Sequence, residues 1–140
     1  MPLYLSMFKT FHALRNKTRV NMAEWGLSPG QPKVLRYILH HPGCMLKEIA
    51  LSNDVESATV SKIVNDLEIQ GMIKKEAVKQ NRRAMQITIT DLGREAIEKW
   101  DIHCLEIEKE AFSDFSDEEK QQFQESLGRI YHNLTGKVLK

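Results

Sequence analysis

The chain has 140 residues, 41% of them hydrophobic, which is enough for one domain with a modest core. It has no run of about 20 apolar residues, and its first residues lack the pattern of a signal peptide, so neither a membrane span nor secretion is expected. The net charge is only +1, and two widely spaced cysteines without a CxxC pair favour a reduced, cytoplasmic protein.

The first helix is predicted from residue 2 to about residue 22. Apolar residues recur there at helical spacing, and cations occupy the other faces. The apolar stripe needs a partner that covers it, and it consists of Leu3, Met7, Phe11 and Leu14.

A second helix is predicted to start at residues 28–31. Ser28 would be the N-cap, Pro29 would take the first helical position, and Gln31 would complete a capping box. The helix is expected to end at residues 41–43, where the sequence reads His-Pro-Gly.

A short third helix is predicted over residues 46–51, where Met45 offers no side-chain cap, so packing has to maintain the helix.

A fourth helix is predicted over residues 56–71. Its buried face would hold Val60, Ile63, Val64 and Leu67. Its other face carries short polar groups and one cation: Ser57, Thr59, Ser61, Lys62 and Asn65. Two helices joined by a turn of four or five residues describe a helix-turn-helix.

A β-hairpin, or wing, is predicted next. Its strands would be residues 72–78 and 85–90, with residues 79–84 forming a cationic tip. Residues 71–90 carry five cations against one acid, a net charge of +4, so this segment is a candidate anion-binding surface.

Two helices are predicted to complete the chain. Thr90-Asp91 would cap the first, whose apolar positions are spaced 3-4-3-4: Ile97, Trp100, Cys104, Ile107 and Ala111. Residues 116–119 form a capping box for the second, whose apolar positions are Phe123, Leu127, Ile130 and Leu134. Such narrow seams are typical of helices that pack along other helices. A small central domain cannot cover all these stripes, so a second copy of the chain is expected to do so.

The chain resembles the multiple-antibiotic-resistance regulator (MarR) family over about residues 5–134. The resemblance rests on the order and spacing of four segments: L-S-P-G-Q-P-K-V-L at 27–35, L-K-E-I-A at 46–50, T-V-S-K-I-V-N-D-L-E-x-x-G-M-I at 59–73 and N-R-R-A-M-Q-I-T-I-T-D-L-G at 81–93. It departs from the family at Asn81, where the wing commonly carries the Asp of an Asp-x-Arg motif, and at Asp66, where a basic residue is frequent.

The resemblance implies a mainly α fold with a small β wing: a winged helix-turn-helix flanked by N- and C-terminal dimerisation helices. Residues 1–140 would be a single domain, with the DNA-binding lobe over about 28–93 and the dimerisation helices over about 2–24 and 94–140. It also implies an obligate homodimer whose terminal helices interleave. The interface is predicted to contain Leu3, Met7, Phe11, Phe123, Leu127, Ile130 and Leu134.

Members of the family usually repress genes and leave the operator when a small anionic or phenolic effector binds, or when a cysteine oxidises. We therefore predict a transcription regulator that binds pseudo-palindromic double-stranded DNA, without cofactor, metal or catalytic residues. The alternative is a winged-helix protein–protein interaction module without operator binding. An enzyme fits poorly, because the sequence has no Gly-rich phosphate loop, nucleophile elbow or HExxH motif.

The recognition helix and the wing each have a predicted role in DNA binding. Ser57, Thr59 and Ser61 can reach base edges or phosphates, Lys62 is expected on a phosphate, and Asn65 could read an adenine through two hydrogen bonds. In the wing, Arg82 and Arg83 suit a narrow minor groove next to Asn81. Phosphate contacts are expected from Lys74, Lys75 and Lys79.

Regulation leaves three hypotheses open. A zinc site could use His12, His40, His41 and His103 with Glu24, Cys44 and Cys104, although the tight ligand spacing of known sites is absent and ordinary histidines are favoured. A redox sensor would need an exposed thiol, and of the two cysteines Cys44 is expected to be exposed and Cys104 buried. An effector pocket or simply the core could contain Phe11, His12, Trp25 and Tyr37.

Overall fold

The computed structural model describes residues 1–140, apart from the side chains of Arg82 and Arg83. The elements in chain order are α1 (Leu3–Arg19), a 3₁₀ turn (Met22–Trp25), α2 (Gln31–His40), α3 (Leu46–Ser52), α4 (Ser57–Ile69), β1 (Ile73–Val78), β2 (Asn81–Ile89), α5 (Asp91–Ala111) and α6 (Asp117–Thr135). This mainly helical fold with a two-stranded wing is the predicted fold class, which is confirmed. Within the described part of the chain, no helix is both long and apolar enough to cross a bilayer.

The chain forms two compact units, Met1–Leu105 and Glu106–Lys140. In the second unit, α6 begins with the predicted capping box. The Ser116 hydroxyl accepts a hydrogen bond from the Glu119 backbone N–H, and the Glu119 carboxylate accepts one from the Ser116 backbone N–H, both at 3.1 Å. The hydrogen bond from the Ser116 backbone N–H, and after it the Ser116 side chain, favours the ionised carboxylate, so the pKa of Glu119 is lowered.

The core of the first unit joins the helix-turn-helix, the wing and the start of α5. Its largest fully buried side chains are Val34, Leu35, Ile38, Ile49, Val60, Val64, Leu67, Ile87 and Ile97. Ile97 belongs to the predicted seam of α5, yet it lies in this core with the wing residue Ile87. The first turns of α5 are therefore part of the core of the first unit and do not serve only as a helix–helix seam. An ion pair between Arg36 and Asp101 also joins α2 to α5.

The start of α2 was predicted two residues too early, at Pro29. Gly30 has φ +89°, a left-handed conformation that no α-helix can continue through, so the helix begins at Gln31. One contact of the expected capping box is nevertheless present, because the Ser28 backbone N–H donates to the Gln31 side-chain oxygen at 2.9 Å. The predicted end of the first helix at about residue 22 was also late, since α1 ends at Arg19.

Helices α3 and α4 form the predicted helix-turn-helix. Met45 precedes α3 and makes no side-chain cap, as expected. Residues 53–56 connect the two helices, and the Val55 backbone N–H donates to the Ala50 carbonyl at 3.1 Å within this turn. Asp54 has φ 54°, a left-handed conformation within the turn between the two helices.

The wing has a shorter turn than predicted. β1 and β2 pair antiparallel from Ile73 opposite Ile89 up to Val78 opposite Asn81, so residues 79–80 alone lie between the strands. The register shifts between Ala77, opposite Met85, and Val78, opposite Asn81. The second strand therefore starts among polar residues with a weak strand signal, because strand propensity depends strongly on context. The base of β2 is tied to the segment before α3, since the Ile87 backbone N–H donates to the Cys44 carbonyl at 2.8 Å.

Candidate nucleic-acid interface

Helix α4 separates its residues into a buried face and an exposed face. Val60, Val64 and Leu67 are fully buried against α2, α3 and β1. Ser61 is half-buried, and the other predicted contact residues of this helix are exposed: Ser57, Thr59, Lys62 and Asn65. The structure therefore brings the predicted polar set together on one accessible surface, which we call the α4 face. Its contact with DNA stays a prediction.

One residue of the α4 face was not among those predicted. Ala58 is exposed, and it precedes Lys62 by four residues and Asn65 by seven, which places the three side chains on one side of the helix. The same spacing is visible in the sequence, but the prediction considered polar groups only. An alanine methyl group can contact the methyl group of thymine in a major groove.

A chain of side-chain hydrogen bonds anchors the C-terminal end of α4. Gln31 is only 3% exposed, and its amide N–H₂ donates to the side-chain oxygen of Gln70 at 2.7 Å. Gln70 in turn donates to the carbonyl of Gly26 at 2.5 Å. The series of hydrogen bonds begins at the Ser28 backbone N–H, so the carbonyl and N–H₂ groups of both glutamine side chains have partners. These hydrogen bonds fix α4 against the segment that leads into α2.

The wing places its cations in different surroundings. Lys74, Lys79 and Asn81 are exposed, as a phosphate contact requires. The Lys75 side chain is only 18% exposed, and its ammonium group contacts the side-chain oxygen of Asn65 and, at 3.6 Å, the carboxylate of Glu68. The side chains of Arg82 and Arg83, two of the predicted contacts, lie outside the described residues. Lys75 therefore packs against α4, whereas Lys74, Lys79 and Asn81 are exposed.

An open cavity of about 500 Å³ lies beside the anchored end of α4. Of the four residues considered for an effector pocket, Trp25 lines this cavity, whereas Phe11 and His12 are exposed on α1 and the Tyr37 ring stacks on His41 at 4.0 Å between centroids. Gln70 connects the cavity wall to the hydrogen-bond chain. The cavity is lined by Glu24, Trp25, Gly26, Gln70, Met72, Leu92, Glu95, Ala96 and Lys99.

The predicted exposure of the two thiols was wrong. Cys44 is only 3% exposed, because its backbone pairs with Ile87 and its side chain joins the core, whereas Cys104 on α5 is partly exposed. Burial raises the pKa of the Cys44 thiol from 9 to about 11, and the nearby charge of Glu48 adds to this effect. A neutral, covered thiol is a poor nucleophile, so Cys44 is built as a core residue.

Alkylation of the folded protein with iodoacetamide at pH 8 is expected to spare Cys44 and to modify Cys104. The reason is that the thiolate is the reacting form, and at pH 8 only about one Cys44 thiol in a thousand is ionised. The side chain is also covered by the core. Mass spectrometry of tryptic peptides measures both sites, and the same treatment in urea, where both should react, is the control. Equal rates at the two sites in the folded protein would contradict the assignment.

Metal binding finds no support in the side-chain arrangement. Across the side chains that the structure describes, no group of three or more histidines, cysteines and carboxylates is placed to hold a metal ion. His103 makes ring contacts instead, with centroids 5.1 Å from Trp25 and 6.2 Å from Trp100.

Residues 25–84 match the sequence model of the MarR family. The chain is 26% identical to a putative transcriptional regulatory protein for the hcr operon from Thauera aromatica, over 85% of this chain and 72% of that protein. It is 24% identical to the HTH-type transcriptional repressor YetL from Bacillus subtilis, over 96% and 82% of the two chains.

Solved structures of similar fold include a transcriptional regulator and a protein in complex with DNA. The transcriptional regulator SlyA superposes with a TM-score of 0.87 at 22% identity, over 96% of this chain and 94% of that one. The MepR protein of S. aureus, in a structure of its complex with DNA, superposes with a TM-score of 0.86 at 21% identity, over 95% and 98%. These likenesses extend the fold assignment over nearly the whole chain.

Proposed function

Because this chain is a transcription regulator of the MarR family and not an enzyme, we propose that it acts as a homodimer that binds a specific double-stranded DNA site and leaves it when a small effector binds. The observation that carries the proposal is the α4 face: a helix anchored at its C-terminal end and packed on the core presents short polar side chains and Lys62 to the outside. Such a helix fits the major groove of B-DNA, where base edges can be read.

The wing supports the same proposal through its charge. Lys74 is exposed on β1, the strand that packs against α4, and Lys79 is exposed at the hairpin turn. The segment of residues 71–90 has a net charge of +4. Exposed lysines next to a reading helix can neutralise phosphates on either side of the groove. Arg82 and Arg83 are proposed to enter the minor groove.

Exposed apolar faces support a second copy of the chain as a partner. No residue of α1 is buried, and Phe11 is 59% exposed although it belongs to the apolar stripe. No residue of α6 is buried either, and its predicted interface residues are exposed to solvent: Phe123, Leu127, Ile130 and Leu134. Burying one large apolar side chain contributes about 1.5–3 kcal/mol, so covering both stripes would offset the cost of bringing two chains together.

Effector release requires two arrangements of the dimer with different affinity for DNA. We propose that the two lobes change their separation, and that a small anionic or phenolic compound shifts this equilibrium because it binds one arrangement better. Repression is proposed as the outcome of DNA binding, in line with the name of the relative YetL.

Selection from a random duplex pool tests the proposal. The expected result is a pseudo-palindrome whose half-sites lie about one helical turn, roughly 34 Å, apart, bound by a species of twice 16.2 kDa in light scattering. The logarithm of the binding constant should fall with the logarithm of salt concentration by about 0.9 per neutralised phosphate. A folded protein that binds no duplex at any salt concentration would contradict the proposal and favour the protein-interaction module.

A further inference from the structure

Lys75 connects the wing to the recognition helix through side chains. Its ammonium group lies against the side-chain oxygen of Asn65 and 3.6 Å from the carboxylate of Glu68. We propose that Lys75 is a positioning residue that fixes the amide group of Asn65, and that it thereby sets the base preference of the α4 face. The proposal rests on the DNA binding proposed above, and it replaces the expectation that Lys75 contacts a phosphate.

The position of Lys75 in the wing separates it from its neighbour. Successive side chains of a strand point to opposite faces, and Lys74 is exposed whereas Lys75 turns toward α4. On the helix, Glu68 follows Asn65 by three residues, so both side chains lie on the side that meets β1. Two of the three ammonium donors of Lys75 face Asn65 and Glu68, so a phosphate contact could use only the third donor of this largely covered side chain.

The charge of Lys75 is also compensated locally. The Glu68 carboxylate faces the same ammonium group, so the pair presents little net charge to a DNA backbone. Lys74, one residue earlier, has the exposure that a phosphate contact requires. Counterion release on binding should therefore depend on Lys74 and hardly on Lys75.

The ammonium group determines which way the Asn65 amide points. An ammonium group can only donate hydrogen bonds, so it has to face the amide oxygen and not the N–H₂ group. The two N–H donors of Asn65 are then the part of the amide that is turned away from Lys75, on an exposed residue of the α4 face. The amide oxygen keeps one lone pair, but the adjacent positive charge disfavours an incoming donor group.

This orientation changes the base that Asn65 should select. Reading an adenine with two hydrogen bonds needs the amide oxygen as an acceptor for the adenine amino group. An asparagine that offers only its donors matches the two acceptors of guanine, N7 and O6. The expected preference at the Asn65 position is therefore guanine over adenine, and Lys75 is the source of that preference.

The test compares base selection and salt dependence in four variants of the full-length protein. Lys75→Met removes the ammonium group and keeps an unbranched side chain, Asn65→Ala removes the amide, the double variant removes both, and Lys74→Met is the matched control on the same strand. Each protein is applied to a random duplex pool, and its binding to the wild-type site is then measured as a function of salt concentration.

Lys75→Met is expected to weaken binding to the wild-type site by about tenfold and to admit adenine at one position in each half-site, with an unchanged salt slope. Asn65→Ala should abolish the preference at that same position, and adding Lys75→Met to it should change neither affinity nor preference further. Lys74→Met should keep the base preference and reduce the salt slope by about 0.9 for each phosphate that the lysine no longer neutralises.

Two results would overturn the proposal while leaving the proposed function intact. One is a Lys75→Met protein with an unchanged base preference and a salt slope reduced like that of Lys74→Met, which would make Lys75 a phosphate contact. The other is a Lys75→Met protein that matches the wild type in preference and slope, which would make the contact a surface ion pair only. A wild-type protein that binds no duplex would overturn this proposal and the proposed function together.

Discussion

Replacing Gly93 with alanine is expected to lower the free energy of unfolding by about 3 kcal/mol or more, at the upper end of the cost of overpacking. A Cβ atom at this position would stand 2.2 Å from the Met72 carbonyl oxygen and 2.8 Å from Cγ1 of Ile89. The carbonyl cannot move away easily, because it accepts the hydrogen bond from the Thr90 backbone N–H at 3.0 Å. The close approach of α5 to the start of the wing thus depends on the missing side chain.

Urea denaturation at a fixed protein concentration measures this loss, since the stability of a dimer depends on concentration. Gly128→Ala in α6 is the matched control. A Cβ atom there meets nothing within 4 Å, and replacing a helical glycine by alanine should stabilise the chain by about 0.5–1 kcal/mol. A Gly93→Ala protein as stable as the wild type would show that α5 can shift away from Met72. A destabilising Gly128→Ala would indicate that another chain packs closely at that point.

Replacing Ile97 with alanine is expected to destabilise the protein by about 2–5 kcal/mol, because it removes a fully buried side chain and leaves a cavity. Ile97 lies where α5 packs on the core of the first unit, Met1–Leu105. The substitution should therefore loosen α5 from this core as well as lower the overall stability.

Ile102→Ala, on the same helix, is the control for this substitution. Ile102 is 60% exposed in the single chain, and exposed substitutions usually change stability by less than about 0.5 kcal/mol. Thermal and urea unfolding of both variants at one concentration give the comparison. Similar losses at the two positions would mean either that the cavity at Ile97 collapses or that a second chain covers Ile102, and light scattering of the Ile102→Ala protein separates these cases.

Two features of the fold that depend on local sequence were predicted correctly, although the bounds of α1, α2 and the wing turn were not. The period of Val60, Val64 and Leu67 indicated helix α4 with its buried face, and the Ser116–Glu119 capping box was present. Both signals involve residues that are close in the chain, so periodicity and capping chemistry are sufficient to find them.

The parts that depend on contacts between distant residues were not predicted. Cys44 is buried because it pairs with Ile87, 43 residues later, and no spacing rule links the two. Likewise, the contact between Lys75 and Asn65 exists because β1 packs against α4, so each residue was assigned its own separate role on DNA. A charged side chain in a sequence shows that it can bind an anion, but only the fold shows which partner it already has.

The hydrogen-bond chain through Gln31 and Gln70 has a mechanical consequence. Its donors and acceptors alternate in one direction from Ser28 to Gly26, so turning over either amide group breaks two bonds at once. The C-terminal end of α4 therefore has one position in which all three hydrogen bonds form, and a small displacement would break them. A force that acts on α4 should therefore move α4 together with the segment that leads into α2. Bending is expected in other segments of the chain.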